Sequence, residues 1–223
     1  MIIVSIDFSI LYPGVCICKD FKEFEWFAVV NHKESKPKLK LLDDLCSAYP
    51  KINILYTESK REKKSQYHLT ERIKLTNYLE NISLIINYLK TKINDVKDLI
   101  IVLEGQSFGS SGNALVDTSQ ATGILRRELL VELLEGDIDR LFIFSPGELK
   151  NAINCKGNAS KGDIFAQFKD DPILESAKKT DLFKAANNED WLVDTRGNIA
   201  SPIIDMVDSY LGIVKIYQIL HSK

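Results

Sequence analysis

The chain opens Met1-Ile2-Ile3-Val4-Ser5-Ile6-Asp7, and the fold turns on how this stretch is read. A run rich in β-branched residues, with no Gly or Pro, is a buried strand. It ends in a carboxylate, which a buried strand does not carry unpartnered, because desolvating a charge is costly. Two more apolar runs follow over short connections, Gly14-Val15-Cys16-Ile17-Cys18 and Phe24-Glu25-Trp26-Phe27-Ala28-Val29-Val30. Three strands so closely linked predict an antiparallel meander, with Asp7 at a strand end. Taken alone, Asp7 reads as a residue capping the turn after the strand.

Further along, residues 31–66 depart from the strand pattern. The polar stretch 33–40 contains Pro37 and reads as a loop, 41–46 as a helical turn and 52–56 as a short strand. Over 69–93, apolar residues recur near the helical period at Ile73, Leu79, Ile82, Ile86 and Leu89, predicting one long amphipathic helix. Leu99-Ile100-Ile101-Val102-Leu103 is a continuous apolar run of the kind found in buried central strands, and it ends in Glu104. After a Gly- and Ser-rich loop, Asp117 to Gln120 predicts a cap for a helix running to Leu134. Leu141-Phe142-Ile143-Phe144 is another short strand, and Ser145-Pro146-Gly147-Glu148 has Ser, Pro and Glu where a helix start favours them. The basic loop 154–162 leads into a helix at 162–168, and a further helix is expected at 173–186. Ser201-Pro202 opens the closing helix, on which Asp205 and Asp208 stand three apart and project from one side.

At 223 residues, 45% apolar and 27% charged, the composition is that of a soluble globular chain with one full core, and a single domain spanning 1–223 is expected. The apolar runs are strand-sized, so no membrane span is expected. The N-terminus has none of the marks of a signal peptide. Cys16, Cys18, Cys46 and Cys155 lack zinc-ligand spacing, and a reducing, cytoplasmic setting is expected. The net charge of −2 gives no global signature of nucleic-acid binding. Basic stretches at Lys33, Lys36, Lys38, Lys40 and at Lys60, Arg61, Lys63, Lys64 read equally as solvated surface or as a phosphate path.

Four carboxylates stand out: Asp7 and Glu104 at strand ends, Asp205 and Asp208 near a helix start. Each alone reads as a cap or a surface charge. If the four converge, they cannot all stay ionised without a cation between them. Hard oxygen donors suit Mg²⁺, with Mn²⁺ as a substitute, and two such ions can activate water and stabilise the leaving oxygen of a phosphodiester.

This order of parts resembles the RNase H-like nuclease fold and, within it, the RuvC group of Holliday junction resolvases. The resemblance rests on Ile6-Asp7-Phe8-Ser9, on Leu103-Glu104-Gly105-Gln106-Ser107-Phe108 and on Thr118-Ser119-Gln120-Ala121-Thr122-Gly123. It continues through Ser145 to Lys150, through Lys156-Gly157-Asn158-Ala159-Ser160-Lys161, and ends at Asp205-Met206-Val207-Asp208-Ser209-Tyr210. It implies an α/β fold with a mixed five-stranded sheet, a three-strand meander plus parallel strands, flanked by helices. It implies that Asp7, Glu104, Asp205 and Asp208 are metal ligands, of two ions, that Lys161 is a basic residue near the scissile phosphate, and that Lys156 and Ser9 contact substrate. Phe108 matches the aromatic that wedges at the junction centre, although a loop aromatic folded onto the core is an equal reading. The implied activity is metal-dependent cleavage of branched DNA by a homodimer in DNA recombination and repair, leaving 5′-phosphate and 3′-hydroxyl ends. The stretches 31–66 and 169–200 stand outside the resemblance as insertions. Structured RNA or flap DNA are alternative substrates on the same fold. An actin-like ATP-binding module also begins with a strand ending in Asp, but it places Gly soon after that Asp, where this chain has Phe8-Ser9-Ile10.

Overall fold

The opening run forms β1 (Ile2–Asp7), and the two runs after it form β2 (Gly14–Lys19) and β3 (Glu23–Asn31), paired antiparallel as a meander. A computed structural model describes residues 1–31, 34–58, 66–105, 112–170, 172–193 and 198–222. The strand expected around 52–56 is β4 (Ile52–Thr57), and it pairs parallel with β3. On the other side β5 (Leu99–Glu104) pairs parallel with β1, and β6 (Leu141–Phe144) pairs parallel with β5. The sheet therefore has six strands in the order β4-β3-β2-β1-β5-β6, not the five expected, because β4 extends the meander edge.

Helices cover both faces. α2 (Tyr67–Lys92) and α3 (Asn113–Glu132) pack on one, against Val4, Ile6, Val15, Phe27 and Leu103. The other face, with Ile3, Cys16, Trp26 and Val102, is covered chiefly by the closing helix α7 (Ile203–His221). Beside it lie α4 (Pro146–Ala152), α5 (Lys161–Asp170) and α6 (Asp181–Asn188). The helix α1 (Lys36–Ala48) adds Leu45 to that second core. From Ile203 to Val214 every residue of α7 is buried, as suits a helix that is apolar on nearly all sides. No helix among the described residues is long and apolar enough to cross a membrane.

Some local expectations change. Residues 36–40 are helical rather than a loop, since Ser35 caps α1 and Pro37 falls in its first turn, where a missing N–H costs nothing. α3 starts at Asn113, so Asp117 is not its cap; its carboxylate lies 3.0 Å from the Lys74 ammonium on α2. The helix expected at 173–186 is divided at Thr180: a 3-10 segment, Glu175–Lys179, precedes it and α6 follows, its first turn capped by the Thr180 hydroxyl. The start at Ser145 is as expected, a full capping box with Glu148.

Candidate active site

Strand alternation aims Asp7. Val4 and Ile6 point into the core under α2 and α3, so Ile3, Ser5 and Asp7 point to the face that α7 covers. Two glycines let α7 settle there. Gly14 lies opposite Asp7, and a Cβ on it would sit 2.2 Å from the carbonyl carbon and oxygen of Asp205. A Cβ on Gly212 would sit 2.1 Å from the Ser5 hydroxyl oxygen. The close approach brings the start of α7 onto the C-terminal end of β1.

Carboxylate oxygens of Asp7, Asp205 and Asp208 consequently lie within 4.8 Å of one another. Glu104, at the end of the parallel neighbour β5, is outside that triad but lines the same cleft, and its charge bears on Asp7. The cleft holds about 210 Å³ and is also walled by Ser9, Lys150 and Lys161. Asp205 and Asp208 are only 4% and 8% exposed. Above them the Lys161 ammonium donates to Asp205 at 2.8 Å and lies 3.3 Å from Asp208. Lys161 is held there by a tight helix start, in which Asp163 accepts from the Ser160 N–H and hydroxyl, each at 2.8 Å.

The acids perturb one another. Burial, then the charges of Asp208, Glu104 and Asp205, push the Asp7 carboxyl well above its usual range. Burial and the Asp208 charge lift Glu104 to about 7. Burial lifts Asp208 to about 6 against the opposing pull of Lys161. Burial lowers the Lys161 ammonium, but Asp205 and Asp208 outweigh it and hold that ammonium above its ordinary value. One lysine does not satisfy the cluster: Asp205 Oδ2 and Asp208 Oδ1 are buried without a hydrogen-bond partner among the described residues. Orphaned anionic oxygens in a site made of oxygen donors fit a hard divalent cation.

Of the other expected site residues, Ser9 lines the cleft and its hydroxyl oxygen accepts from the Tyr12 N–H at 2.9 Å. Lys156 is exposed on the loop between α4 and α5 and does not wall the cleft. Phe108 lies outside the described residues, as do Lys33, Lys60, Arg61, Lys63 and Lys64. Two contributors were not singled out from the sequence. Lys150, in the last turn of α4, reaches the cleft and donates to the Ala159 carbonyl at 2.8 Å, tying down the loop that carries Lys156. Asn81, buried on α2, donates to the Ile10 carbonyl at 2.9 Å and pins the segment after Asp7. Its one signal in the sequence is an amide among the apolar positions of an amphipathic helix.

A central strand ending in Asp, a parallel neighbour ending in Glu and a closing helix bearing Asp-x-x-Asp define an RNase H-like fold with an acidic centre. The chain is similar to the structure of RuvC from Thermus thermophilus, at 10% identity over 98% of this chain and 96% of that one, with a TM-score of 0.50. A structure of T. thermophilus RuvC in complex with Holliday junction substrate aligns at 11% identity with the same coverage and a TM-score of 0.48. The first of these likenesses establishes the fold and nothing finer. No protein-family model and no curated protein sequence matches the chain.

Proposed function

We propose that this protein is a divalent-metal-dependent endonuclease of the RuvC type that cuts branched DNA, acting on four-way junctions as a homodimer. The observation that carries the reading is the convergence of Asp7, Asp205 and Asp208, two of whose buried oxygens have no hydrogen-bond partner among the described residues. These three residues, with Glu104 beside them, would hold Mg²⁺ or Mn²⁺, which activates water toward a phosphodiester and stabilises the leaving oxygen. Lys161, 56% exposed at its side chain, keeps a positive charge over the acids, where a phosphate approaches. Ser9 and Lys156 supply further donors to the nucleic-acid backbone in this reading, and Lys150 holds the Lys156 loop in place. A dimer is supported by the groove between α2 and α3, lined by Leu75, Tyr78 and Ile124. Leu75, Leu79 and Val131 on these helices are 47%, 45% and 53% exposed, and a second copy of the chain would cover them.

The test is incubation of the protein and of Asp7→Asn with synthetic four-way, flap and duplex DNA and a stem–loop RNA, with and without Mg²⁺. Nicking of the junction by the unsubstituted protein alone, and only with the ion, is expected. No ion-dependent cleavage of any substrate, or equal cleavage by Asp7→Asn, overturns the proposal. Cleavage confined to RNA moves the site to structured RNA, and a monomeric mass in sedimentation removes the dimer.

A further inference from the structure

The two stretches outside the RuvC resemblance meet each other at the far end of the sheet. The Lys51 N–H, just before β4, donates to Asp181 at the start of α6 at 2.9 Å. The Tyr49 hydroxyl donates to Glu189 at 3.1 Å. Between them and the β2–β3 turn lies a cleft of about 410 Å³. It adjoins the beginning of β1, where Ile2 pairs with Lys19, about 17 Å along the strand from Asp7.

Four lysines from three separate stretches line this cleft: Lys19 and Lys22 at the β2–β3 turn, Lys51 and Lys179. Among the described residues none of the four ammonium groups is in an ion pair, while the neighbouring acids are mostly engaged elsewhere. Glu25 is ion-paired with Lys92 and accepts from the Tyr88 hydroxyl at 2.7 Å and from Asn53 at 3.3 Å. Asp181 is used by the Lys51 N–H and by Lys184. Among the described residues, Glu23 is the one acid of the lining without such a tie. Four lysines against three acids leave this lining with an excess of positive charge, in a chain whose net charge is −2. Ile17 and Phe24 also border the cleft, but from opposite faces of the sheet and both largely buried, so its accessible lining is chiefly polar. We propose that this cleft is a second binding site, for a phosphate-bearing ligand of nucleotide size whose phosphates the lysines hold. Its volume falls within the range of small-molecule pockets. The site shares no residue with the carboxylate cleft, so it stands whether or not the nuclease reading does.

Calorimetric titration of the full chain in EDTA, which leaves the carboxylate cleft without metal, tests this with ATP, pyrophosphate and a 5′-phosphorylated DNA strand as probes. Binding of ATP and pyrophosphate with Kd below about 1 mM is expected. The double charge reversal Lys51→Glu/Lys179→Glu is expected to weaken it about tenfold or more, and Asp7→Asn to leave it unchanged. Binding of the DNA strand alone, lost on the same charge reversal, keeps the site and assigns the phosphate to nucleic acid. No binding by any probe, or binding that survives the charge reversal, overturns the proposal. Melting curves of the double variant, and of Lys19→Glu/Lys22→Glu as a second disruption, check that folding is intact.

Discussion

At the C-terminal end of β1 four acids carried by regular elements converge, two of them almost wholly buried; at its N-terminal end four lysines are exposed, two of them, Lys22 and Lys51, on turn residues. Rigid elements aim side chains with little freedom, so the acids can be forced together against their repulsion and held there. The lysines are held only by their stems, and each can swing away when nothing binds. One end is therefore pre-formed and strained, the other open and adaptable.

The largest expected effect is on the acidic end. Asp7→Asn should reduce cleavage by about 10³-fold or more in a junction-nicking assay, since it removes a charge on which the whole cluster depends. Gly14→Ala strikes the packing that creates the cluster. A Cβ 2.2 Å from the Asp205 backbone forces α7 off the sheet, at a cost of about 3 kcal/mol, read as a melting point lower by about 6–12 °C. Lys161→Met should lower cleavage by about 10²-fold, yet with divalent ion present the melting point should scarcely move, because the ion takes over the charge balance.

A fourth prediction concerns pH. The Glu104 and Asp208 carboxyls are raised on folding to about 7 and about 6, so the folded chain holds protons that the unfolded chain releases. Their contribution to stability is complete below the unfolded values and is lost as pH rises through 6 to 7. Without metal, the protein should be less stable at about pH 8 than at about pH 5 by on the order of 2 kcal/mol in denaturant titrations. Saturating Mn²⁺ should flatten the difference, since a cation replaces the protons. The smallest expected effect is at the other end of the strand: Lys51→Glu/Lys179→Glu should shift stability by no more than about 0.5 kcal/mol in the same titrations. A large loss there would mean that the basic end is as tightly built as the acidic one.

Much of this was legible in the chain itself. β1, its meander partners and β5 announce themselves as apolar runs with few alternatives, and a carboxylate at the end of such a run marks a site. The Ser145 capping box was equally plain. Where expectation and structure part, a local signal had two readings. Pro37 fits a loop or a first helical turn, and Asp117 fits a cap or an ion-pair partner for Lys74. Lys150 and Asn81 were missed because each acts on a partner distant in sequence, Lys150 across the acidic cleft and Asn81 on the loop behind Asp7.

The sequence by itself determined the buried strands, the spacing of Asp205 and Asp208 on one helix side and the face of β1 from which Asp7 projects, because helix and strand periodicity are local properties. Tertiary structure alone decided that β4 would add a sixth strand, that Gly14 would admit α7 close enough to join the acids, and that lysines from three stretches would share one cleft. Those outcomes depend on contact between segments far apart in the chain, where packing, and not residue spacing, decides what meets.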